Sequence, residues 1–524
     1  MNTPKSLAGC LFVVLAALSL NLTAPAQAPT AGAEAQKESS KDSAKENAPV
    51  PPEKPVATHH EITLGGKVLK YTATAGNLIL RDEEDKPYGS IFYVAYTLDG
   101  AEPGTRPVSF LYNGGPGSAT LWLHMGSFSP VRIVTDSPKA TAGPPFKLVS
   151  NEYSLLDKSD LVFIDAPLTG YSRAVGKGTA KDFAGVDQDL RAFDRFIIRY
   201  LTVNQRWNSP KFLIGESYGT TRSAALADML GNDGVQLNGV VLISSILNYA
   251  VHAGGYDNLY IFNLPSYAAA AWYFDKIPNK PADVAAWVQQ AREFAAGPYA
   301  QALFAGDNLP AAQLDEVAKQ VSHFTGLSVD YIKEANLRIS PVRFRKEVLR
   351  DDRKTLGRYD MRFEGVDVDA AGEMPSYDAS DTGITGAFVA ALEDYMEREL
   401  KYESTDAYRP SANSIGQWDW KHKPTSGGPG FGGREQAEPY VAADLASAIR
   451  KNPHLHVFSA NGYFDLATPF FATEYDLDHM NLDPALRGNV QFGYYPSGHM
   501  IYLNVEALHK LRDDLAAFIT SSTK

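Results

Sequence analysis

The five residues Gly215-Glu216-Ser217-Tyr218-Gly219 constrain the fold of this chain more than any other stretch. They match Gly-x-Ser-x-Gly, in which a serine sits on a sharp turn between a strand and a helix with its hydroxyl presented outward. The flanks suit that geometry. Lys211-Phe212-Leu213-Ile214 is a short apolar run fit for a buried strand, and Thr220 to Leu230 is rich in Ala and Leu and reads as a helix. Small residues around the serine let the chain turn tightly. The pentapeptide alone also fits an ordinary Gly-Ser turn. A catalytic serine therefore needs a base, an acid and an oxyanion site from elsewhere in the chain.

The surrounding chain supplies the matching rhythm. Val108 to Tyr112 is an apolar strand that ends in Asn113-Gly114-Gly115-Pro116-Gly117-Ser118. Glycines directly after a strand allow backbone N–H groups to face a ligand. With a serine elbow, one oxyanion donor comes from the loop after this early strand and the other from the residue after the nucleophile. The candidates are the N–H groups of Gly115 and Tyr218, with a plain Gly-Pro turn as the competing reading. Leu161 to Asp165 and Gly239 to Ser244 are further strands, and Asp187 to Tyr200 is an amphipathic helix. Glu61 to Leu64 and Lys67 to Tyr71 form a hairpin around Gly65-Gly66, and Ser90 to Tyr96 adds another strand. Apolar strands alternating with helices predict α/β class, an α/β-hydrolase fold with a mostly parallel central sheet.

The domain plan follows from composition. Residues 1–28 read as a secretory signal peptide: Lys5, an apolar run from Leu11 to Leu22 too short to span a membrane, then small-residue cleavage sites at Ala24-Pro25-Ala26 and Ala26-Gln27-Ala28. This predicts bacterial export to the periplasm or medium, with no stable membrane span in the mature chain. Cys10, the only cysteine, falls in that segment, so the folded part has no thiol chemistry. Residues 29–58 hold few large apolar side chains and read as a disordered linker. Residues 59–248 are expected to form the first part of the hydrolase domain, 249–439 an inserted, mainly helical cap, and 440–524 the second part. Gly427 to Gly433 lacks a preceding strand and a Gly-Lys-Ser/Thr ending, so it reads as a connector and not as a phosphate loop. A net charge of −12 argues against nucleic acid as a partner.

The base and acid come late. The expected chain order is serine, acid, histidine, with acid and base on turns after strands. Leu455 to Ser459 runs into Asn461-Gly462-Tyr463-Phe464-Asp465, and Asn489 to Tyr495 into Pro496-Ser497-Gly498-His499-Met500. His479 and His509 compete for the base, but neither stands at a strand end; Asp476, Asp478 and Asp483 are weaker acids for the same reason. The chemistry assigns Ser217 as nucleophile, His499 as base and Asp465 as its orienting acid. No metal site or other cofactor is expected: His454 and His456, and His59 and His60, lack carboxylate partners at zinc spacings.

Taken together, Asn113 to Gly117, Gly215 to Gly219, Asp465 and Gly498 to Met500 resemble the motifs of the serine carboxypeptidase family in order, as does Phe163-Ile164-Asp165-Ala166-Pro167. The resemblance covers about residues 60 to 520 and is weakest in the central insertion. Leu264 to Tyr273 looks like a segment of the family's bacterial branch. The resemblance implies that Asn113, the Gly114 N–H and Glu216 hold the terminal carboxylate of a peptide, with Met500 beside them; the competing reading is that Glu216 only supports the elbow. Glu216 must then be protonated, because two ionised carboxylates repel, and peptide cleavage should favour acidic pH. Several positions depart from the family pattern. Leu111 replaces a tryptophan, Ser118 a cysteine, and Ile501-Tyr502 a Val-Pro pair. The expected partners are peptides with a free C-terminus. An esterase or acyltransferase with the same triad, or a non-catalytic binding protein of this fold, remains an alternative.

Overall fold

Strands whose side chains alternate between two apolar layers build the body of the molecule. The computed structural model describes residues 48–252, 254–412, 416–425 and 433–524. The predicted signal peptide, the first part of the predicted linker and most of the Gly427 to Gly433 connector lie outside the described residues. Along the main sheet we label β1 (Val56–Leu64), β2 (Lys67–Arg81), β3 (Pro87–Leu98), β4 (Val108–Tyr112), β5 (Asp160–Ile164), β6 (Lys211–Glu216), β7 (Gly239–Ile243), β8 (His456–Gly462) and β9 (Val490–Tyr495). They pair in the order β1-β2-β3-β5-β4-β6-β7-β8-β9, and the two-residue strand Arg173–Ala174 pairs with β3. From β5 to β9 every neighbouring pair is parallel, and β1, β2 and β3 add an antiparallel flank. This is the α/β-hydrolase architecture expected from the strand–helix alternation.

The β1–β2 hairpin turns through Gly65 and Gly66 at φ 54° and 78°. Both are positive, as a two-residue turn between twisted strands requires. In β6 and β7, Phe212, Ile214, Val241 and Ile243 face one layer, which contains Phe388, Tyr395, Leu511 and Phe518. Leu213, Val240 and Leu242 face the other, packed on helices α1 (Val186–Val203), α2 (Tyr218–Asn232) and, later in the chain, a helix at Ala442–Lys451. Helices on both faces bury a parallel sheet, which explains its nearly unbroken apolar strands.

Two boundaries differ from those expected. Strand β1 begins at Val56, inside the segment predicted to be linker up to residue 58, and Glu53 pairs with Arg199 at 2.8 Å and accepts the Ile79 N–H at 2.6 Å. A strand paired along its full length supplies the order that a small apolar content could not predict. The insertion is also not one unit. Helices α3 (Asn258–Tyr273), α4 (Val284–Phe294) and α5 (Ala311–Thr325) share a separate apolar cluster that includes Trp287, Phe324 and Phe344. Helix α6 (Thr385–Arg398) instead packs into the sheet's own layer through Phe388, Leu392 and Tyr395. After it the chain runs back over the body, bridging Gly170 with Arg409, Ser118 with Ser411 and Gly185 with Asp419. The mainly helical character expected of 249–439 carried no sign of which layer this helix would join. Helices α7 (Ala442–Lys451) and α8 (Val505–Ser522) complete the described body. No helix among the described residues is long and apolar enough to cross a membrane.

Candidate active site

Ser217 stands between β6 and α2 with φ 60° and ψ −130°, a conformation costly for a residue with a side chain. The turn is held from below by the Ser217 N–H, which donates to the Ile243 carbonyl at 3.0 Å, and by the Thr220 N–H, which donates to the Ser217 carbonyl at 2.8 Å. The close packing demands glycine at the flank: a Cβ on Gly215 would stand 2.2 Å from the Gly219 carbonyl oxygen.

Asp465 and His499 occupy the turns after β8 and β9. His499 Nδ1 lies 2.8 Å from Asp465 Oδ2, and both residues are almost wholly buried. With the Nδ1 proton committed to that carboxylate, Nε2 is the basic ring nitrogen. Burial works against the imidazolium, but the Asp465 charge and hydrogen bond outweigh it and raise the His499 pKa; Glu216 adds to the rise and Arg358 opposes it. Asp465 is itself held. Its Oδ1 accepts the Ala467 and Thr468 N–H groups at 2.8 and 3.0 Å, and the Thr468 hydroxyl lies 2.7 Å from Oδ2. The serine and histidine turns meet at the carboxyl end of β7: Ile243 receives Ser217 N–H, and the next residue, Ser244, donates its hydroxyl to the His499 carbonyl at 2.6 Å.

The glycine loop after β4 closes against the elbow. A Cβ on Gly114 would stand 2.3 Å from Tyr218 N and 2.5 Å from Gly219 N. Only a glycine lets the loop come this near. Gly115 is exposed next to it. The Tyr218 side chain turns inward, edge-on to Trp418 at 5.6 Å and near Arg222, so only its backbone belongs to the site. Arg222, fully buried, pairs with Asp189 at 2.7 Å and donates to the Asn113 carbonyl at 2.9 Å, which ties the loop to helices α1 and α2.

Beside the serine, Glu216 is 2 % exposed and Asn113 also 2 %. Asn113 Nδ2 donates to Glu216 Oε1 at 2.6 Å, and Asn113 Oδ1 accepts the Leu123 N–H at 3.0 Å. Burial pushes the Glu216 carboxyl up to about 7; Asp465 adds to the rise, while His499, Tyr502 and Asn113 oppose it. Met500 is buried in the layer that holds Trp122 and Phe388. The structure thus brings Asn113, Gly114, Gly115, Glu216, Ser217, Tyr218, Asp465, His499 and Met500 to one end of the sheet. Among the described residues no three His, Cys, Asp or Glu side chains lie together as a metal site would need.

Several contributors had no signal in the sequence. Thr468 is one. Tyr359, from the insertion, accepts the His499 backbone N–H at 2.6 Å through its carbonyl and packs its ring 5.2 Å from the imidazole. Trp418 and Trp420 cover Tyr218. The segment that carries them is pinned by buried His422, whose Nδ1 and Nε2 lie 2.7 Å from Asp187 and 3.2 Å from Asp444. Apart from Thr468, which stands three residues after Asp465, these contacts join residues far apart in the chain, which no local period or spacing announces.

Residues 68–270 match the family model described as serine carboxypeptidase. The pheromone-processing carboxypeptidase KEX1 of Saccharomyces cerevisiae is 31% identical over 156 residues, covering 28% of this chain and 20% of that protein. Serine carboxypeptidase-like 33 of Arabidopsis thaliana is 25% identical over 146 residues, 27% of this chain and 28% of that protein. The chain thus spans less than a third of the length of either curated relative. The crystal structure of Kex1(delta)p, a prohormone-processing carboxypeptidase from S. cerevisiae, superposes with a TM-score of 0.52 at 18% identity, covering 86% of this chain and 92% of that one. That likeness concerns the fold. The family resemblance carried by the motifs is borne out over the matched segment.

Proposed function

We propose, from the serine carboxypeptidase match of residues 68–270, that this protein is a serine-type carboxypeptidase that removes the C-terminal residue of peptides. The observation that carries the reading is the buried Glu216–Asn113 pair next to Ser217: an apolar cleft would not hold a carboxyl group there, whereas a peptide's terminal carboxylate gives it a partner. In this reading Ser217 Oγ attacks the last peptide carbonyl while His499 Nε2 takes its proton. The Gly115 and Tyr218 N–H groups receive the oxyanion, and Asp465 holds the imidazole and balances its charge. His499 returns the proton to the leaving amino acid, and water, activated by the same nitrogen, clears the acyl-enzyme. Asn113, the Gly114 N–H and protonated Glu216 bind the terminal carboxylate, with Met500 against the leaving residue.

Each of the two raised groups feels the other's charge, so Glu216 and His499 titrate as a coupled pair. Peptide cleavage needs the proton on Glu216 and a free Nε2. Raising the pH through about 7 empties Glu216 and weakens carboxylate binding, which places the favoured range for peptides on the acidic side. The signal-like pattern of residues 1–28 supports export.

The test compares a blocked dipeptide with its C-terminal amide at pH 5.5, with Ser217→Ala alongside. A strong preference for the free acid and loss of nearly all turnover in Ser217→Ala are expected. Equal cleavage of acid and amide would turn the assignment to an esterase or a less selective acyl-transfer enzyme, and undiminished turnover in Ser217→Ala would sink the triad.

A further inference from the structure

Two buried oxygens at the carboxylate site have no hydrogen-bond partner among the described residues: Glu216 Oε2 and the hydroxyl of Tyr502. They belong to residues that face each other. Glu216 opens the serine turn, and Tyr502 lies in the short helical turn Ile501–Leu503 that directly follows His499 and Met500. The tyrosine is 3 % exposed, and the Glu216 carboxyl and the Asn113 amide stand near enough to bear on its ionisation, with no hydrogen bond formed to either. Its place is built from the other side too. A Cβ at Gly126 would stand 2.6 Å from Cδ2 and Cε2 of the Tyr502 ring and 3.1 Å from Phe388, so this glycine leaves room for the ring. Beyond the ring opens a cavity of about 280 Å³ lined by Gly126, Arg132, Arg362 and Phe388 among others. This is also one of the positions at which the sequence departs from the family pattern, with Tyr in place of Pro.

We propose that Tyr502 is a positioning residue for recognition of the peptide C-terminus: lodged over Gly126, its hydroxyl steadies the Glu216 carboxyl and the Asn113 amide in the arrangement that receives the substrate carboxylate. The inference rests on the carboxypeptidase reading of the same site. The physical need is specific. Asn113 holds only Oε1 of Glu216, and a carboxyl held at one oxygen can rotate its proton away from the ligand. The Tyr502 hydroxyl, itself without a hydrogen bond, is the group that takes up the second oxygen as the substrate binds and so restricts that rotation. It also favours the ionised form of Glu216, because a donor stabilises the charge of an acceptor. The groups around Glu216 that bear on its ionisation are Asn113 after β4, Asp465 after β8, and His499 and Tyr502 after β9.

The experiment measures kcat/KM for a blocked dipeptide acid and for its amide with the full chain, its Tyr502→Phe variant and its Gly126→Ala variant, from pH 5 to 9. The acid/amide ratio cancels any loss of folded enzyme. Tyr502→Phe removes only the hydroxyl. It is expected to lower the ratio at pH 5.5 by about three- to tenfold, the scale of one hydrogen bond, mainly through KM for the acid. It is also expected to move the pH at which the ratio falls upward by about half a unit, since the ionised form loses a donor. Gly126→Ala crowds the ring while keeping the hydroxyl, and should lower the ratio in the same direction. If the parent cleaves acid and amide equally, the carboxypeptidase reading and this inference fall together. If the parent discriminates and Tyr502→Phe keeps both its ratio and its pH limb, the inference alone falls. A lowered ratio with an unmoved limb makes the tyrosine a packing residue and overturns it as well.

Discussion

On the proposed carboxypeptidase reading, replacing Glu216 by Gln separates the two parts assigned to one residue beside Ser217. The amide keeps an oxygen for the 2.6 Å bond from Asn113 and keeps a donor for the substrate carboxylate, but it cannot ionise. With the parent carboxyl pushed up to about 7, its protonated fraction falls about a hundredfold between pH 6 and pH 9. The acid/amide ratio of kcat/KM for a blocked dipeptide should fall by that order in the parent and stay level within about threefold in Glu216→Gln, a site with a permanent donor. His499 acts on both substrates, so its titration cancels in the ratio. Stability gives an independent arm. A folded pKa raised from 4.5 to about 7 stabilises the fold fully below pH 4.5, and that stabilisation is lost as pH rises through 7. The difference is about 3 kcal/mol. Urea unfolding at pH 4 and pH 8 should therefore show Glu216→Gln gaining on the parent by that order at the higher pH. A variant whose acid/amide ratio declines with pH as steeply as the parent's would refute the reasoning, because the decline would then belong to another group.

Asp465→Asn preserves the shape of the acid but can no longer balance an imidazolium or fix its tautomer; kcat should drop by about 10⁴-fold with a smaller change in KM, as measured by steady-state kinetics on the dipeptide acid. His422 is a matter of stability, not turnover. Burial works against its cation, but Asp187 and Asp444 bring its pKa up to about 9. The stabilisation is complete below pH 6.5 and lost as pH rises through 9, a change of about 3 kcal/mol. Urea unfolding at pH 6 and pH 9.5 should show that loss in the parent and little of it in His422→Gln; an equal slope in both would remove His422 as its source.

The sequence by itself determined the elements and their order. Apolar strands of five or six residues, the helical period of 187–200 and the glycine pairs at 65–66 and 114–115 are local patterns, and local patterns follow from backbone sterics and side-chain period. The serine elbow was legible for the same reason: Gly215 and Gly219 are what a turn that tight requires. Strand ends also marked Asp465 and His499 out from Asp478 and His479, since a parallel sheet delivers its loops to one edge. The tertiary structure decided what stands around them. Tyr359 reaches His499, Trp418 covers the elbow and Tyr502 comes beside Glu216 only because strands distant in sequence lie side by side. The layer that helix 385–398 joins is likewise set by which apolar face it meets, and its own period says only that it has one. The environment that pushes Glu216 up to about 7 is the clearest case. A glutamate next to a serine carries no sign of its burial in the sequence, and burial is what raises its carboxyl pKa.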